Sequence, residues 1–513
     1  MTALHDRLRA LPLARLKAIR RGIEKESLRA LPGGGGLALT PHPAALGSAL
    51  THPHITTDYS ESQLELITGV HADVDDCLNQ LTETHQAVYR AMGEHPGGEQ
   101  LWVGSMPCGL PTDETIPLGR YGASNVGRAK SVYRMGLGHR YGRRMQMISG
   151  IHYNWSMPGL SNDEHFALIR NFRRHAFVLL YLFGASPAVC ASFVAGREHE
   201  LQPIPGAPNG TLHMPHGTSL RMGRLGYQSD AQASLAVSYN SLESYANSLH
   251  EALTRPYPAY QAVGVRNPGG DYNQLATTLL QIENEYYGLI RPKRVIFPGE
   301  RPLHALRERG VEYIEVRCLD LDPFEPVGIA APTMRFIDIF LLHCLLADSP
   351  PDTPEEIAAL GRNQHRTAAR GREPGLLLEH GDHTITLTDW AAQLLDECGP
   401  IADAMDTAHG GALYQGALQA AHAALAAPHS LPSARVLARM VDGFEGSYPR
   451  FIRDCSARTR AALLALPWGE AQAVRYAEMA EESLAEQRRI EAGDSMLFEQ
   501  YRLAYLSPDR LRA

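Results

Sequence analysis

An alternating stretch at positions 56–68 constrains the fold of this chain more than any other. Its sequence, TTDYSESQLELIT, places three carboxylates among β-favouring threonines and aliphatic residues. In a β-strand, successive side chains point to opposite faces, so Glu65 lies on one face while Leu64 and Leu66 lie on the other. The stretch therefore predicts a strand with one apolar face and one acidic face.

Three further stretches have the same two-faced design. Their polar faces carry Glu24 and Glu26 (22–28, GIEKESL), His152 and Asn154 (149–155, SGIHYNW), and Glu315 and Arg317 (311–317, VEYIEVR). A single strand of this kind would simply keep its acids in solvent. Four such strands instead predict one sheet that curls around a polar, ion-filled cavity while its back packs on helices.

The overall composition is that of a soluble globular protein. The 513 residues are 44% hydrophobic and 20% charged, a length at which we expect two domains. The net charge of −8 offers no basic field to nucleic acid, so we expect no nucleic-acid partner. An uncharged run at 176–195 is long enough to cross a membrane, but Gly184 and Pro187 interrupt it, which predicts a buried helix and a loop instead.

Cysteine usage and the N-terminus indicate the compartment. The seven cysteines are scattered and contain no C-x-x-C pair, which argues against a disulfide framework and for a reducing environment. Residues 1–21 show a basic amphipathic pattern without the apolar core of a secretory signal. We therefore expect a cytoplasmic protein.

The hydrophobic periodicity predicts a mixture of helices and strands. Helices are predicted over 1–21, 73–92, 162–183, 235–253, 271–285 and 332–347. Strands are predicted over 22–40, as two strands joined by the glycine run at 33–36, and over 55–68, 261–266 and 311–319. After residue 348 the chain becomes rich in Ala, Leu, Glu and Arg and predicts helices, ending in a charged helix over about 469–506.

The acids of the four strands require a counter-charge if they share one cavity. Like charges at short range raise one another's pKa or demand a cation, and five carboxylates are involved: Glu24, Glu26, Asp58, Glu65 and Glu315. Together with His152, this oxygen-rich set suits Mg²⁺ or Mn²⁺, ions that usually bridge to substrate phosphates. The pattern indicates phosphoryl transfer from a nucleotide, with Arg134 or Arg317 balancing charge on the moving group.

Other nucleotide and metal motifs are weak or missing. The chain has no G-x-x-x-x-G-K-[ST] loop, and residues 122–129 (GASNVGRA) lack its final positions. His199, His213 and His216 form an alternative metal set, although histidines on a loop are more often exposed to solvent.

Several segments, in order from about 20 to 347, resemble the proteobacterial glutamate–cysteine ligase family. They are GIEKESLR (22–29), ALGS (45–48), the acidic stretch (55–68), LWVGSMPC (101–108), YGASN (121–125), GIHYN (150–154), YLFGASP (181–187), QIENE (281–285) and YIEVR (313–317). The resemblance implies an α+β, glutamine-synthetase-like fold, in which a strongly curved antiparallel sheet forms a funnel backed by helices. It divides the chain into a catalytic region, 1–347, and a mostly helical region, 348–513.

The resemblance also implies a reaction. ATP would phosphorylate the γ-carboxylate of L-glutamate, and the amino group of L-cysteine would then attack the acyl phosphate to give γ-glutamylcysteine, the first step of glutathione biosynthesis. It further suggests a monomer and feedback inhibition by glutathione.

Site residues follow from the resemblance by motif position. The metal ligands would be Glu24, Glu26, Asp58, Glu65, His152 and Glu315, with Arg134 and Arg317 near the transferring phosphoryl group. Arg221 would hold a substrate carboxylate, for which a guanidinium is well shaped. The acceptor pocket would be lined by Tyr59, Tyr133, Leu137, Gln146, Tyr227 and Tyr287. Taken singly, each tyrosine and Leu137 could be ordinary packing, His152 a sheet histidine, and Arg134 and Arg221 surface residues.

One departure from the family pattern concerns the acceptor. Tyr59 stands where phenylalanine is common, and the neighbouring Ser62 and Gln63 are polar, which predicts a more polar acceptor pocket. Two alternatives therefore remain: a γ-glutamyl ligase for another amine, and a catalytically silent homologue that only binds ligands. The retained metal ligands argue against the silent form.

Overall fold

The computed structural model describes residues 3–33, 35–93, 98–204, 210–226, 230–233 and 235–512. The strands within these ranges are β1 (Arg20–Ala30), β2 (Ile55–Thr57), β3 (Gln63–Ile67), β4 (Gln100–Leu101), β5 (Ile151–Ser156), β6 (Ala188–Cys190), β7 (Gln202–Pro203), β8 (Thr211–His213), β9 (Ile290–Lys293), β10 (Tyr313–Leu319), β11 (Leu377–His380) and β12 (His383–Thr386).

Helices account for much of the remaining chain. They are α1 (Ala3–Ala10), α2 (Leu13–Lys17), α3 (Val74–Gly93), α4 (Asn125–Tyr141), α5 (Asn162–Phe183), α6 (Asp230–Ala233), α7 (Leu242–Thr254), α8 (Pro258–Val263), α9 (Pro302–Arg309), α10 (Ala331–Leu346), α11 (Pro354–Arg370), α12 (Leu387–Glu397), α13 (Gly399–His409), α14 (Leu413–Ala426), α15 (Pro432–Phe444), α16 (Tyr448–Ala465), α17 (Glu470–Gly493) and α18 (Phe498–Leu506).

The principal sheet has the strand order β2-β3-β1-β5-β10-β9, with β4 paired to the end of β1. Its neighbouring strands are antiparallel throughout. In a flat sheet, five steps of about 4.8 Å would place β2 roughly 24 Å from β9. Residues of both strands nevertheless line one cavity. The sheet is therefore strongly curved, and a bulge between Val316 and Leu319 of β10 adds to the bend.

The two faces of the sheet have opposite character, as the alternation predicts. On β5, Ile151, Tyr153 and Trp155 are at most 1% exposed and belong to the hydrophobic core. His152, between them in sequence, lines the cavity on the other face. The core behind the sheet is completed by α3, α5 and α10, which pack on the strands and on one another.

Several helices after residue 348 share this core, and others pack against the catalytic region elsewhere. Apolar residues of α12, α13 and α14 belong to the same hydrophobic cluster as the sheet and α10. Helix α16 packs on β4, and α18 packs on α4. The division of the chain at residue 347 stays a prediction.

The long elements were predicted correctly. Helices α3, α5 and α10 and strand β10 lie where the periodicity placed them. The acidic stretch at 55–68 is a hairpin of β2 and β3, since Asp58 donates its amide to the Gln63 carbonyl at 3.0 Å. The helix predicted over 235–253 begins later, at Leu242, and the C-terminal charged helix is divided into α17 and α18.

Other predicted elements were wrong. The helix over 1–21 is interrupted after Ala10, before Pro12, and strand β1 begins at Arg20. The second strand of 22–40 is reduced to one bridge between Ala30 and Leu37. The first half of the strand predicted over 261–266 instead belongs to helix α8, which ends at Val263 and starts at Pro258, a residue suited to the first helical position.

The helix predicted over 271–285 is also absent apart from a 3₁₀ turn at Glu283–Glu285. Its backbone amides bond to distant segments, because Leu279 donates to Arg255 and Leu280 donates to Ala252. These long-range bonds replace the i to i−4 ladder that the periodicity suggested.

The cysteine prediction was wrong for one pair. Cys108 and Cys190 form a disulfide across 82 residues of sequence. The other five cysteines are buried and reduced. No helix among the described residues is both long and apolar enough to cross a membrane.

A buried ion pair joins the sheet to its helical backing. Arg21 of β1 and Asp338 of α10 meet at 2.9 Å with both side chains fully buried. Asp338 also accepts a hydrogen bond from the Tyr153 hydroxyl at 2.8 Å. Burial removes the hydration of both side chains, so each charge is stabilised only by the opposite charge of its partner.

Replacing Asp338 with alanine should therefore lower the free energy of unfolding by about 3–5 kcal/mol, because Arg21 would keep a buried, unpaired charge. Urea unfolding followed by tryptophan fluorescence measures the loss. The control is Glu251→Ala, which breaks an ion pair with Arg255 whose side chains are 68% and 72% exposed and should cost less than about 1 kcal/mol. Equal losses in the two variants would contradict this account of the buried pair.

Candidate active site

The concave face of the sheet borders a cavity of about 420 Å³. Thirteen of the fifteen site residues predicted from the sequence line it. They are Glu24, Glu26, Asp58, Tyr59, Glu65, Tyr133, Arg134, Leu137, Gln146, His152, Tyr287, Glu315 and Arg317. The alternation of the strands places the acids here, because every second side chain of β1, β3, β5 and β10 faces inward.

The acids converge around a single histidine. His152 Nδ1 lies 3.2 Å from Glu24 Oε2, and its Nε2 lies 3.8 Å from Glu26 Oε1. Asn154 donates to the other oxygen of Glu24 at 3.0 Å. Glu24, His152 and Glu315 can offer ligand atoms that all lie within 4.8 Å of one another. The cluster is thus arranged as a group of oxygen donors with one imidazole.

Burial and neighbouring charges oppose the ionisation of two of these carboxyl groups. Burial, together with the charges of Glu24, Asp58 and Glu26, raises the pKa of Glu65 well above its usual range. Burial and the charge of Asp58 raise the pKa of Glu26 to about 8. Like charges at this spacing cannot all ionise without a compensating cation.

The other end of the cluster is supplied with cations. Lys293 Nζ donates to Glu315 Oε1 at 3.0 Å, and Arg317 Nη1 donates to Glu315 Oε2 at 2.8 Å. Burial opposes the ionisation of Glu315, but these two cations lower its pKa well below the usual range. Burial also opposes the ionisation of Glu24, whose pKa is lowered by the hydrogen bond from His152 and by the charge of Lys293.

Arg134 fastens the turn that carries Asp58 to helix α4. Its Nε donates to the Asp58 carbonyl oxygen, and its guanidinium lies 4.5 Å from the centre of the Tyr121 ring. The Tyr121 hydroxyl donates to the same carbonyl at 2.7 Å. Lys130, one turn before Arg134, also lies over Tyr121, at 5.0 Å. Lys130 and Arg134 thus place two cations of helix α4 at the cavity.

Comparisons with known proteins agree on one family. The family model described as glutamate–cysteine ligase matches residues 8–367. The chain belongs to the glutamate–cysteine ligase family. It is 46% identical to the glutamate–cysteine ligase of Alcanivorax borkumensis, over 98% of each chain. It is 47% identical to that of Pseudomonas entomophila, over 94% of this chain and 93% of the relative.

Solved structures give the same result. The glutamate–cysteine ligase of Francisella tularensis, determined in complex with AMP, is 35% identical and superimposes with a TM-score of 0.89 over 95% of this chain and 97% of that one. A bifunctional glutathione synthetase from Pasteurella multocida, 23% identical, shares the fold with a TM-score of 0.71 over 93% of this chain and 58% of that chain. The predicted α+β fold class is confirmed. Members of the ligase family use ATP and carry out the first step of glutathione synthesis.

The tyrosines of the ligase cavity are held by a buried network behind them. Gln146 Nε2 donates to the Tyr287 hydroxyl at 2.9 Å. The rings of Tyr287 and Tyr141 meet edge to face, 5.5 Å apart. The Tyr141 hydroxyl donates at 2.6 Å to Glu285, which also pairs with Arg140 at 2.7 Å. Glu285 and Arg140 were missed because their side chains support the cavity without lining it.

The expectation of a more polar acceptor pocket stays a prediction, and the structure places the three residues that suggested it. Ser62 and Gln63 lie outside the cavity lining and bond to the backbone carbonyls of Ala38 and Ile148. The Tyr59 ring lines the cavity, but its hydroxyl is buried beside Gly138, with no hydrogen-bond partner among the described residues. The hydroxyl therefore points into packing and leaves an apolar ring surface at the cavity.

Among the described residues, Arg221 is the predicted site residue that does not line the cavity. Arg221 is 1% exposed and packs against Gly150, and its Nη2 donates to the Arg317 carbonyl at 2.8 Å. Its guanidinium thus contacts the backbone of the strand that carries Arg317, and its predicted contact with a substrate carboxylate stays a prediction. Tyr227 falls outside the described residues. The alternative set of histidines does not converge in the described part of the chain, where His213 bonds to the Gln202 carbonyl.

The ligase cavity also has lining residues that the sequence reasoning missed. They are Lys130, Arg291 and Lys293, and the tyrosines of the C-terminal helix, Tyr501 and Tyr505. Arg291 and Lys293 carried a recognisable signal, since they alternate with Ile290 and Pro292 along strand β9. The two tyrosines carried none, because only the tertiary fold brings α18 to the cavity.

Replacing Glu65 with glutamine should raise the melting temperature of the metal-free protein. The raised pKa means that folded Glu65 keeps a proton that the unfolded chain releases above pH 4.5, so this group destabilises the wild type increasingly as the pH rises from 4.5. Calorimetry in EDTA at pH 5 and pH 8 measures the difference, which should be larger at pH 8. The exposed Glu478 provides the control, since Glu478→Gln should leave the melting temperature unchanged. A lower melting temperature for Glu65→Gln at pH 8 would contradict the repulsion.

Proposed function

We propose that this cavity joins L-glutamate to L-cysteine through γ-glutamyl phosphate, in a reaction that needs ATP and Mg²⁺. The observation that supports the proposal is the convergence of five carboxylates and one histidine, with Arg134 and Arg317 beside them, in a cavity. Phosphoryl transfer needs this combination, since it depends on positioning and on charge stabilisation.

The donor set fits divalent cations. Glu65 and Glu26 resist ionisation in the absence of one, and the oxygen-rich composition with one imidazole suits Mg²⁺, with Mn²⁺ as a substitute. The residues that would hold the ions are Glu24, Glu26, Asp58, Glu65, His152 and Glu315. When bound, the ions supply positive charge that neutralises the phosphates of ATP.

The arginines would act on the transferring phosphoryl group. Arg317 is oriented by its hydrogen bond to Glu315. Burial lowers the pKa of Arg317, but the charge of Glu315 outweighs burial and raises it, so the guanidinium keeps its charge. Arg134 is oriented by the Asp58 carbonyl. A guanidinium held in this way stabilises the charge that spreads over the phosphoryl oxygens.

The acceptor would bind against Tyr59, Tyr133, Leu137, Gln146 and Tyr287, with Tyr227 as a further predicted member. The amino group of L-cysteine then attacks the acyl carbon, the bond to phosphate breaks, and the amine loses a proton. Water must be kept out, or it would hydrolyse the acyl phosphate. The apolar surfaces of Tyr59 and Leu137, which are 1% and 6% exposed, favour this exclusion.

We further propose a cytoplasmic, monomeric enzyme that glutathione inhibits. Glutathione contains the γ-glutamylcysteine unit of the product, so it can compete for the glutamate and cysteine subsites. The family resemblance supports the compartment and the monomer. Neither alternative function is favoured: the metal ligands are retained, and of the residues that suggested another amine, Ser62 and Gln63 lie outside the cavity lining while Tyr59 contributes its ring to it.

The direct test is ADP release by the purified protein with ATP, Mg²⁺ and L-glutamate, with products identified by mass. We expect γ-glutamylcysteine as the product and a preference for L-cysteine over 2-aminobutyrate and other amines. Release should require glutamate and should be lost in Glu65→Ala, whose folded state is checked by circular dichroism. Turnover with a different preferred amine would reassign the acceptor, and no turnover with any amine would indicate the silent homologue.

Tyr287→Phe should raise the KM for L-cysteine about fivefold, because it releases Gln146, a member of the proposed acceptor pocket, from the hydrogen bond of about 1 kcal/mol that orients its amide. The KM values for ATP and L-glutamate should not change, since Gln146 and Tyr287 are assigned to the acceptor alone. Steady-state kinetics with each substrate varied in turn provides the measurement. Tyr286→Phe is the matched control, because this neighbouring tyrosine lies outside the cavity lining. An equal rise for all three substrates would contradict an acceptor role for Tyr287.

A further inference from the structure

A second group of side chains able to bind a metal ion lies in the helical backing of the sheet. His175 of α5 and His343 and Cys344 of α10 each offer a ligand atom within 4.8 Å of those of the other two. His343 and Cys344 are at most 1% exposed, and His175 is partly buried. None of the three lines the active-site cavity. The group is therefore separate from the acids around His152.

Both histidines of the group have a ring nitrogen without a hydrogen-bond partner. The Nδ1 atoms of His175 and His343 are buried, and neither bonds to any of the residues that the structure describes. The two rings are close, with centroids 5.6 Å apart and an interplanar angle of 62°. A buried ring nitrogen without a partner loses its hydration and gains no hydrogen bond, which lowers the stability of the fold. Two such atoms beside a thiol point to a ligand that binds all three.

His343 is oriented in the way that is common for histidines bound to metal ions. Its Nε2 lies 2.7 Å from Oε2 of Glu397, the last residue of α12. Such histidines usually donate their second ring N–H to a carboxylate, which fixes the tautomer and the direction of the ring. The contact with Glu397 places the ring proton on Nε2, so Nδ1 of His343 presents its lone pair.

The surrounding helices hold the group in register. The side chain of Asn171, one turn before His175, donates to the Cys344 carbonyl at 2.9 Å and so ties α5 to α10 beside the group. Trp390 of α12 packs edge to face on the His175 ring, with centroids 6.0 Å apart. The Glu397 side chain is 62% exposed, so the group borders the surface on this side. The ligand atoms are thus prearranged, and an ion can reach them from solvent.

The chemistry of the donor atoms selects the kind of ion. Two imidazoles and a thiol suit the borderline-soft Zn²⁺, whereas Mg²⁺ prefers oxygen ligands. Tetrahedral ligands at Zn–N and Zn–S distances of about 2.1 and 2.3 Å lie about 3.5 Å apart, so small side-chain rotations would complete the set. Burial and the neighbouring Cys398 raise the pKa of the Cys344 thiol well above its usual range. The thiol therefore carries its proton without metal and would release it to solvent on binding, because a coordinating thiol is deprotonated.

We propose that His175, His343 and Cys344 bind one Zn²⁺ ion that joins helix α5 to helix α10. Water entering from the side of Glu397 would take the fourth position of the tetrahedron. Glu397 orients His343 and belongs to α12, so the ion also fastens a helix of the C-terminal region to the helices that back the sheet. This site does not depend on the proposed reaction, since its residues lie outside the active-site cavity.

The test uses Co²⁺ as a spectroscopic probe, because a thiolate bound to Co²⁺ gives an intense charge-transfer band in the near ultraviolet. Titration of the full chain after dialysis against EDTA should produce this band with one equivalent per chain, and Zn²⁺ should remove it by displacement. Cys344→Ser should lose the band. His175→Gln, His343→Gln and Glu397→Gln should each weaken Co²⁺ binding about tenfold or more. Two matched controls should keep the band: Cys77→Ser, at another buried free cysteine, and His152→Gln, in the active-site cavity.

A wild type without the charge-transfer band would overturn the proposal, and so would a band that survives in Cys344→Ser or disappears in Cys77→Ser. Thermal unfolding adds a second readout, since Zn²⁺ should raise the melting temperature of the wild type by about 3 °C more than that of Cys344→Ser. If Cys344→Ser does not fold, X-ray absorption at the zinc edge of the wild type with one equivalent of Zn²⁺ decides. A sulfur neighbour at about 2.3 Å would support the site, and a shell of oxygen and nitrogen alone would overturn it.

Discussion

The mutual repulsion of carboxylates within one buried cavity is the constraint on which the rest of this structure depends. Glu26 of β1 lies directly opposite Glu65 of β3 in the antiparallel pairing of these strands. Pairing fixes them at the spacing of neighbouring strands, so neither side chain can leave the other without breaking the sheet. The ionisation of these groups therefore has to be balanced from within the cavity. Under the proposed function, the same repulsion that destabilises the protein is what favours cations, and the phosphates that accompany them, in this cavity.

The curvature of the sheet is maintained from behind. The back of β1 carries Ile23, Lys25 and Ser27, all at most 2% exposed. Lys25 is bonded there to His85 and Ser27, and burial lowers its pKa to about 7. An amine with this low pKa can lie in the core without a carboxylate partner. Charge is thereby concentrated on the concave face, while the convex face remains compatible with packing against α3, α5 and α10.

The sequence allowed the sheet faces to be predicted because a strand has a period of two, which is independent of the rest of the fold. Glu24, Glu65, His152 and Glu315 could be assigned to one face for this reason. Their convergence in one cavity needed more: the antiparallel order of β3, β1, β5 and β10 brings together residues nearly 300 positions apart. The family resemblance implied a curved antiparallel sheet with these ligands together, whereas the strand order itself is a property of the tertiary fold.

Other parts were unpredictable for equally physical reasons. Leu279 and Leu280 have helical periodicity, yet their amides bond to distant carbonyls, which a local pattern does not contain. Cys108 and Cys190 are 82 residues apart, so their proximity is a tertiary property. The orientation of Tyr59 depends on the absence of a side chain at Gly138, where a Cβ atom would lie 2.7 Å from the tyrosine hydroxyl. Composition alone could not indicate whether that hydroxyl entered the acceptor pocket or left it.

The C-terminal segment affects the chemistry through helix α4, which carries Tyr133, Arg134 and Leu137. The first amides of a helix lack partners within it and carry partial positive charge. At α4, the Asn125 amide donates to the carboxylate of Asp494, and the preceding Ala123 amide donates to Glu491 at 2.8 Å. Carboxylates from the end of the chain thus complete the start of a helix that lines the active site. Because α18 closes the same cavity on another side, the C-terminal helices form part of the active-site framework, and the curved sheet alone could not provide a complete cavity.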